Sequence, residues 1–329
     1  MNWVIKENVD NEFVSTLSKE LNISPILSSM LVKRDIKTFD QAKTFFRPNF
    51  EMLHDPFLMK DMSIAVERIQ KAVEKKESIM IFGDYDVDGT SSVALLSLYL
   101  ESLGLCVTKY LPDRKNEGYG ISINAIDNAL KKKQKLIIAL DCGIKAHKQV
   151  EYAKKKGIEF IICDHHNPEK NIPKALAVLN PKRKDCGYPY KELCGCGVGF
   201  KLVQAIESRH SNDNQIINYL DLVALAIAAD VVPLTGENRV LAFIGLQIIN
   251  SNPKLGIHCL LKKNIKKEYT ISDLMFYVGP RINAAGRIKH ASLALELLMC
   301  NEINSAEKLA LEIEDLNTSR REIEKDITN

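Results

Sequence analysis

The sequence predicts an α/β protein built on a parallel β-sheet, with a helical N-terminal lead-in and a helical C-terminal part. Between residues 78 and 179, five short apolar runs rich in β-branched residues alternate with stretches of helical period. The runs are almost wholly apolar, as parallel strands are when helices cover both faces of the sheet. With 329 residues, 46% of them hydrophobic, the chain is long enough to bury such a core.

The individual elements follow from local patterns taken in chain order. Residues 1–70 are polar and helical, with apolar residues at helical spacing in 26–32 and 42–46, and an amphipathic helix is predicted over 63–75. The apolar runs predict strands at 78–82, 106–111, 136–140, 159–163 and 177–179. Helices are expected between them and after them, at 91–103, 123–132, 145–156, 201–208, 215–229, 238–250 and 305–328.

Composition narrows the class of protein. Lys and Arg number 45 and Asp and Glu number 42, so the net charge of +3 neither requires nor excludes nucleic acid. A local basic groove can be masked by acidic surface elsewhere. The chain has no apolar run of about eighteen residues that would predict a membrane span, and its N-terminus lacks the pattern of a signal peptide. With eight scattered cysteines, we expect a reduced protein in the cytoplasm.

Three carboxylates crowd the end of the first predicted strand. Asp84, Asp86 and Asp88 lie in one short segment that begins and ends with glycine, directly after the apolar run 79–82. Carboxylates at this density repel one another, and the fold alone does not require them. A divalent cation would remove the repulsion, so this turn is the first candidate for a metal site.

Two further strand ends and one helix end carry the same kind of side chain. Asp141 follows the third predicted strand, and Asp164, His165 and His166 follow the fourth. Because the carboxyl ends of parallel strands share one edge of the sheet, these side chains should converge there. Asp230 ends a wholly apolar helical segment, where the helix dipole disfavours an anion unless a cation is near.

The types of donor indicate which cations fit. Carboxylate oxygens with imidazole nitrogens and no thiolate suit Mn²⁺ or Mg²⁺ better than a structural zinc ion. The carboxylates are numerous enough for two ions, which at a separation of ~3.5–4 Å clamp a phosphoryl group. The sequence therefore predicts two-metal hydrolysis of a phosphoester or a phosphoanhydride.

Two other segments offer side chains for a phosphate-bearing substrate. Small residues surround Arg281, Asn283 and Arg287, so a nucleic-acid backbone can approach them closely. After the second predicted strand, Arg114 is a candidate phosphate ligand, and Tyr119 either stacks on a base or packs its own loop. These five residues are the predicted substrate contacts.

Taken together, the motifs resemble those of the DHH phosphoesterase superfamily. Its three leading motifs are similar to segments 84–89, 141–143 and 164–166, and its fourth is similar to 229–234. A resemblance to the branch of bacterial exonucleases specific for single-stranded DNA rests on four more segments: 55–62, 180–183, 236–239 and 279–287. The resemblance extends from about residue 23 to about residue 321, with the motifs in the same order.

The resemblance implies a role for each candidate residue. By position, the ligands of two Mn²⁺ or Mg²⁺ ions would be Asp84, Asp86, Asp141, His165 and Asp230. His166 would contact the scissile phosphate or transfer a proton, and Asp88 would either be catalytic or support the ligands.

The implied reaction is 5′-to-3′ degradation of single-stranded DNA to mononucleotides, in DNA repair and recombination. The implied partner is single-stranded DNA, with a single-strand-binding protein and a helicase as candidate protein partners, and the chain would act as a monomer away from membranes. Two alternatives stay open: a DHH phosphodiesterase acting on short oligoribonucleotides or cyclic dinucleotides, and a catalytically inactive DHH scaffold. The scaffold is disfavoured because all the implied ligands are present.

The resemblance also divides the chain. Its parts would be a helical lead-in (1–70), the DHH catalytic domain (71–235), a helical completion of the catalytic core (236–302) and the start of a long connecting helix (303–329). Longer members of that branch continue into a second phosphate-binding domain and an OB-fold, neither of which is expected in this sequence. We therefore expect weaker DNA binding and less processive degradation than in those longer proteins.

Overall fold

The computed structural model describes residues 10–209, 216–262 and 264–328. The chain divides into two compact units, Met1–Met52 and Leu53–Asn329. The described part of the first unit holds the helices α1 (Asn11–Leu21), α2 (Pro25–Val32) and α3 (Phe39–Phe46). Each begins at a polar side chain that accepts a backbone N–H, and their apolar faces enclose a small core that includes Leu17 and Ala42.

A five-stranded parallel sheet forms the centre of the second unit, as the sequence predicts. Its strands are β1 (Ser78–Gly83), β2 (Cys106–Tyr110), β3 (Leu136–Leu140), β4 (Glu159–Cys163) and β5 (Ala177–Leu179). Their spatial order is β2-β1-β3-β4-β5, and every neighbouring pair is parallel. From β1 the chain passes to β2 at one edge of the sheet, and from β3 it passes towards β5 at the other edge. A crevice therefore opens between these two connections, at the carboxyl ends of β1 and β3.

Helices cover the sheet and build the C-terminal part. In chain order they are α4 (Met62–Glu74), α5 (Val87–Ser102), α6 (Ile123–Lys131), α7 (His147–Lys155), α8 (Gly195–Glu207), α9 (Leu220–Ala229), α10 (Gly236–Ser251), α11 (Leu255–Leu261), α12 (Ile271–Asp273), α13 (Gly279–Ile288), α14 (Ser292–Met299) and α15 (Ile303–Thr328). The apolar α9 is buried along nearly its whole length. Among the described residues, no helix combines the length and apolar character needed to cross a membrane.

Several helices differ from the predicted elements, and α11, α12, α13 and α14 lie where no helix is predicted. α5 begins at Val87 rather than at residue 91, because the Asp86 carboxylate accepts the Gly89 N–H at 3.0 Å and caps the helix. α8 and α13 begin in glycine-containing stretches of low helix propensity, where no helix start is predicted. The first residue of the predicted helix 215–229 lies outside the described residues, and a 3₁₀ turn leads into α9.

The boundary between the two units falls after Met52, whereas the sequence predicts a lead-in that extends to residue 70. Helix α4 belongs to the second unit because its apolar face packs against α8 and β5. Ala65, Val66 and Ile69 on that face are fully buried. The predicted boundaries at 235 and 302 stay predictions.

Candidate metal centre

The turn between β1 and α5 carries three acids into the crevice at the carboxyl edge of the sheet. Asp84 directly follows β1 and is 2% exposed, and Asp88, in the first turn of α5, is 3% exposed. Asp86 is half-buried and caps α5. Two of the three carboxylates are therefore removed from water, and their ionised forms need compensation.

Asp141 follows β3 in a left-handed backbone conformation, with φ of +58°. Its N–H binds the carbonyl of Cys163 at 2.9 Å, so the residue is fixed between two strand ends. Helix α8 begins directly against it, because a Cβ on Gly195 would lie 2.6 Å from Asp141 Oδ1. Glycine at position 195 is thus required for this approach.

His165 lies at the centre of the acids. Its Nε2 is 3.1 Å from Asp141 Oδ1, 3.6 Å from Asp230 Oδ2 and 3.7 Å from Asp88 Oδ2. Burial and the neighbouring His166 lower the pKa of His165 to about 4. A neutral imidazole has a lone pair available, which is the form that coordinates a metal ion.

Asp230 reaches this cluster from the end of α9. The chain turns at the next residue, Val231, with φ of +57°, a conformation that a β-branched residue adopts only under strain. The Asp230 side chain remains 29% exposed, so it stands at the open side of the cluster. Strain of this kind is typical of functional sites, where the surrounding structure fixes the backbone.

Three buried ligand atoms in the cluster make no hydrogen bond within the described part of the chain, although two of them, His165 Nε2 and Asp141 Oδ1, lie 3.1 Å apart; the third is Asp84 Oδ1. Buried polar atoms are normally satisfied, and an ion is one of the explanations for an exception. Three groups have ligand atoms that all lie within 4.8 Å of one another: Asp84, Asp86 and Asp141; Asp88, His165 and Asp230; and Asp141, His165 and His166. The donors therefore fit divalent cations that prefer oxygen and imidazole ligands.

The pKa values of the acids are raised by burial and by neighbouring carboxylates. Burial, followed by the charge of Asp86, raises the pKa of Asp84 to about 7. Burial and Asp86 likewise raise the pKa of Asp230 to about 6. Burial and neighbouring carboxylates raise the pKa of Asp141 well above its usual range. Without a cation, these carboxyls retain protons that a cation would displace.

Asp88 has a role that its position in the sequence does not reveal. Its two carboxylate oxygens accept the N–H groups of Gly195 at 2.6 Å and Cys196 at 2.7 Å, at the start of α8. Burial and the nearby Asp230 still raise the pKa of Asp88 to about 8. Asp88 thus anchors the N-terminus of α8 to the metal centre.

Asp164 is a further candidate for a functional residue, to which the sequence alone assigns no role. It is 1% exposed, and its Oδ1 accepts the backbone N–H groups of His165 and His166 and lies 2.7 Å from His166 Nδ1. This hydrogen bond raises the pKa of His166. On the other side of the ring, His166 Nε2 is 3.3 Å from the Tyr119 hydroxyl. A buried acid two residues before a histidine is the signal that would have identified Asp164.

Arg114 and Arg287 both lie near Tyr85, which belongs to the same turn as the acids. The Arg114 guanidinium lies 5.4 Å from the centre of the Tyr85 ring. Both arginines counteract the effect of burial on the pKa of Tyr85, so both are near it. A Cβ on Gly286 would lie 2.7 Å from the Tyr85 carbonyl oxygen, which shows how closely α13 packs on this turn. Asn283, also on α13, is half-buried.

Arg281 has a different set of partners from the one that the sequence suggests. It is 4% exposed, and its guanidinium donates two hydrogen bonds to Glu314, at 2.6 Å and 3.1 Å, and one to the Tyr277 carbonyl. These contacts tie α13 to α15 and use a donor on each of the three guanidinium nitrogens, and the burial of the side chain keeps the remaining donors from phosphate. We therefore leave Arg281 out of the proposed substrate contacts.

Comparison with known proteins agrees with this geometry. Residues 78–227 match the model of the DHH family, N-terminal domain. The single-stranded-DNA-specific exonuclease RecJ of Bacillus subtilis (strain 168) is 38% identical over 331 residues, which cover 100% of this chain and 41% of that protein. This chain therefore spans less than half the length of that relative.

Two solved structures are similar as well. A crystal structure of exonuclease RecJ bound to manganese is 32% identical, with a TM-score of 0.76 over 84% of this chain and 69% of the other. The structure of RecJ in complex with Mn²⁺ from Thermus thermophilus is 27% identical, with a TM-score of 0.84 over 98% of this chain and 46% of the other. The α/β fold with a parallel sheet is thereby confirmed.

Proposed function

We propose that this chain, which belongs to the RecJ family of DHH proteins, is the catalytic part of a metal-dependent exonuclease acting on single-stranded DNA. The observation that carries the proposal is the convergence of one set of ligands on one edge of the sheet: Asp84, Asp86, Asp141, His165 and Asp230. The printed name of the Bacillus subtilis relative supports the substrate class. The presence of every implied ligand argues against an inactive scaffold.

Two groups of residues would each hold one ion. The first group is Asp84, Asp86 and Asp141, and the second is His165 and Asp230, with ligand atoms within 4.8 Å of one another in each. Asp88 lies beside the second group and adds its charge, while its two oxygens accept the N–H groups of α8. Relatives solved with manganese support Mn²⁺, and Mg²⁺ has the same preference for oxygen ligands. When bound, such ions activate a water nucleophile and neutralise the charge that develops on the phosphoryl group.

His166 would exchange a proton with the oxygen that leaves the phosphorus. Asp164 holds Nδ1 of the ring, so the proton would be exchanged at Nε2, which lies 3.3 Å from the Tyr119 hydroxyl. The same carboxylate raises the pKa of His166, so a larger fraction is protonated near neutral pH. Protonated imidazole is the state that a general acid requires.

Four side chains would bind the substrate around this centre. Arg114 and Arg287 both lie near Tyr85 and offer planar, charged donors to phosphate. Asn283 would add a neutral donor from the same helix as Arg287. Tyr119 is 59% exposed, so its ring is free to stack on a base while its hydroxyl stays near His166.

The biological setting is proposed from the family. We expect 5′-to-3′ polarity, mononucleotide products and a role in DNA repair and recombination, in the cytoplasm. The chain would act as a monomer on single-stranded DNA, with a single-strand-binding protein and a helicase as candidate partners.

The function is tested by hydrolysis of a single strand labelled at either end. With Mn²⁺ present, a 5′-labelled strand should release labelled mononucleotide at once, whereas a 3′-labelled strand should shorten progressively. A dinucleotide and a cyclic dinucleotide serve as competing substrates. Faster turnover of either one than of the long strand would contradict the proposal and favour a phosphodiesterase for short substrates.

Asp164→Asn should lower kcat about 10–100-fold with a smaller change in KM. The amide no longer supports a positively charged His166, so the alkaline limb of the kcat–pH profile should move to lower pH. Asp127→Asn is a matched control, because Asp127 also accepts a hydrogen bond from an aromatic side chain, Tyr152, away from the centre. An unchanged pH profile in Asp164→Asn would rule out this role.

A further inference from the structure

A basic groove opens beside His166, on the side of the sheet where β4 and β5 lie. It has a volume of about 1450 Å³ and is bounded by α7, by residues 167–174 between β4 and β5, and by residues 182–185 after β5. We call it the β4–β5 groove. A smaller groove of about 580 Å³ shares Asn167, Lys182 and Lys184 with it. The two grooves adjoin at these residues, and the larger one alone exceeds the usual volume of a site for one small ligand.

The charge of the β4–β5 groove is strongly positive. Seven Lys and Arg side chains line it against three acids, Glu151, Glu169 and Asp185. Each acid already has a basic neighbour, at 3.1 Å, 3.9 Å and 2.8 Å respectively. Four exposed lysines, however, have no ion-pair partner within the described ranges: Lys154, Lys170, Lys174 and Lys184. Since the whole chain carries only +3, positive charge is concentrated in this groove.

The groove is rigidly joined to the metal centre. Asn167, which lines it, directly follows His166. The fully buried Asn180 donates its amide to the His166 carbonyl at 2.9 Å and accepts the Lys182 N–H at 2.8 Å. Arg183, the next residue along this wall, is held in place because its guanidinium donates hydrogen bonds to Asp61 Oδ2 and to the Val178 carbonyl oxygen, each at 2.6 Å. The lysines on this wall therefore project from a fixed backbone.

Basic side chains thus stand at both ends of the carboxyl edge, with the acids between them. Arg114 follows β2, at one edge of the sheet, and Lys182 and Lys184 follow β5, at the other. A polyanion that crosses this edge would meet Arg114, then the metal centre, then the β4–β5 groove. This is the geometry of a path for a nucleic-acid backbone.

We propose that the β4–β5 groove binds the phosphodiester backbone of the single strand on the far side of the scissile bond from Arg114. This inference rests on the proposed function. The groove has no Phe, Tyr or Trp among its lining residues, so its contacts go to phosphates rather than to base faces. Binding there is independent of sequence and strongly weakened by salt.

The test reverses the charge of two of the unpaired lysines, in the double variant Lys170→Glu with Lys184→Glu. Fluorescence anisotropy with a labelled single strand of about 30 nucleotides, in EDTA, measures binding without cleavage. We expect about 10-fold weaker binding, and a log Kd–log salt slope smaller by about 1.4, which is the loss of two phosphate contacts. Lys71→Glu with Lys131→Glu makes the same charge change at exposed lysines outside the groove and controls for net charge.

A second readout uses two substrates with Mn²⁺ present. In the groove variant, the ratio of kcat/KM for the long strand to that for a thymidine 5′-phosphate nitrophenyl ester should fall about 10-fold. If the groove variant and the control variant lose the same affinity for the single strand, the proposal is overturned. If the wild type binds the strand through these lysines but hydrolyses nothing, the groove stands and the proposed function falls.

The alternative occupant is an acidic protein segment. A polyglutamate peptide that binds more tightly than the strand, with the same dependence on Lys170 and Lys184, would assign the groove to such a partner and overturn the proposal.

Discussion

Replacing both Asp84 and Asp141 with Asn is expected to lower Mn²⁺-dependent hydrolysis at least about 1000-fold. At the same time, the melting temperature of the metal-free protein should rise by about 3–6 °C at pH 8. Both carboxylates are buried and crowded by like charges, which raise the pKa of each. Asn keeps the shape and removes the charge, so the change relieves repulsion but eliminates two ligands.

The matched control for this pair is Asp315→Asn, at an exposed position on α15 away from the metal centre. It should change neither activity nor melting temperature by more than the error of measurement. A double variant that unfolds more easily than the wild type without metal would mean that the acids stabilise the fold. In that case, repulsion would not be the reason for their high pKa values.

Mn²⁺ should stabilise the protein more at about pH 8 than at about pH 6.5, by about 1.4 kcal/mol per pH unit for each proton that the ion displaces. The pKa values of Asp84 and Asp88 are raised to about 7 and about 8, from a usual value of 3.8. Between the usual and the raised values, the folded state holds protons that the unfolded state has lost. Metal-free stability therefore falls as pH rises through this interval, whereas bound cations balance the ionised acids.

His165 acts in the opposite direction, but in a lower range of pH. The pKa of His165 is lowered to about 4, so its contribution to stability increases as the pH rises from about 4 and is complete near the usual pKa of 6.5. Comparing about pH 6.5 with about pH 8 therefore leaves His165 out, whereas His166, whose pKa Asp164 raises, changes metal-free stability in the same direction as the acids. The measurement is thermal unfolding with EDTA or with saturating Mn²⁺, and the variant lacking Asp84 and Asp141 is the control. A Mn²⁺ shift that is equal at both pH values, or larger at the lower one, contradicts the prediction.

The sheet was predictable because its strands are nearly pure apolar runs with sharp ends. Three of the five, β3, β4 and β5, have the predicted bounds, and the other two differ by one residue at the C-terminal end. The start of α8 and the close packing of α13 were not predictable, since both depend on tertiary contacts. Asp88 binds the first N–H groups of α8, and Gly286 lets α13 pack on the Tyr85 turn.

The acids at the strand ends were predictable because parallel strands bring their carboxyl ends together. Asp84, Asp86, Asp141, His165 and Asp230 do meet in the structure. Roles that depend on the hydrogen-bond partners of individual side chains were not predictable. Periodicity does not reveal that Asp164 orients His166, or that Glu314 takes the donors of Arg281.

The central claim is that this edge of the sheet holds two divalent cations. Anomalous diffraction at the manganese absorption edge, from crystals grown with Mn²⁺, tests it most directly. We expect two peaks ~3.5–4 Å apart, one against Asp84 and Asp86 and one against His165 and Asp230, with Asp141 reaching both. A map with no peak among these side chains, or with manganese only elsewhere on the chain, would contradict the two-metal centre.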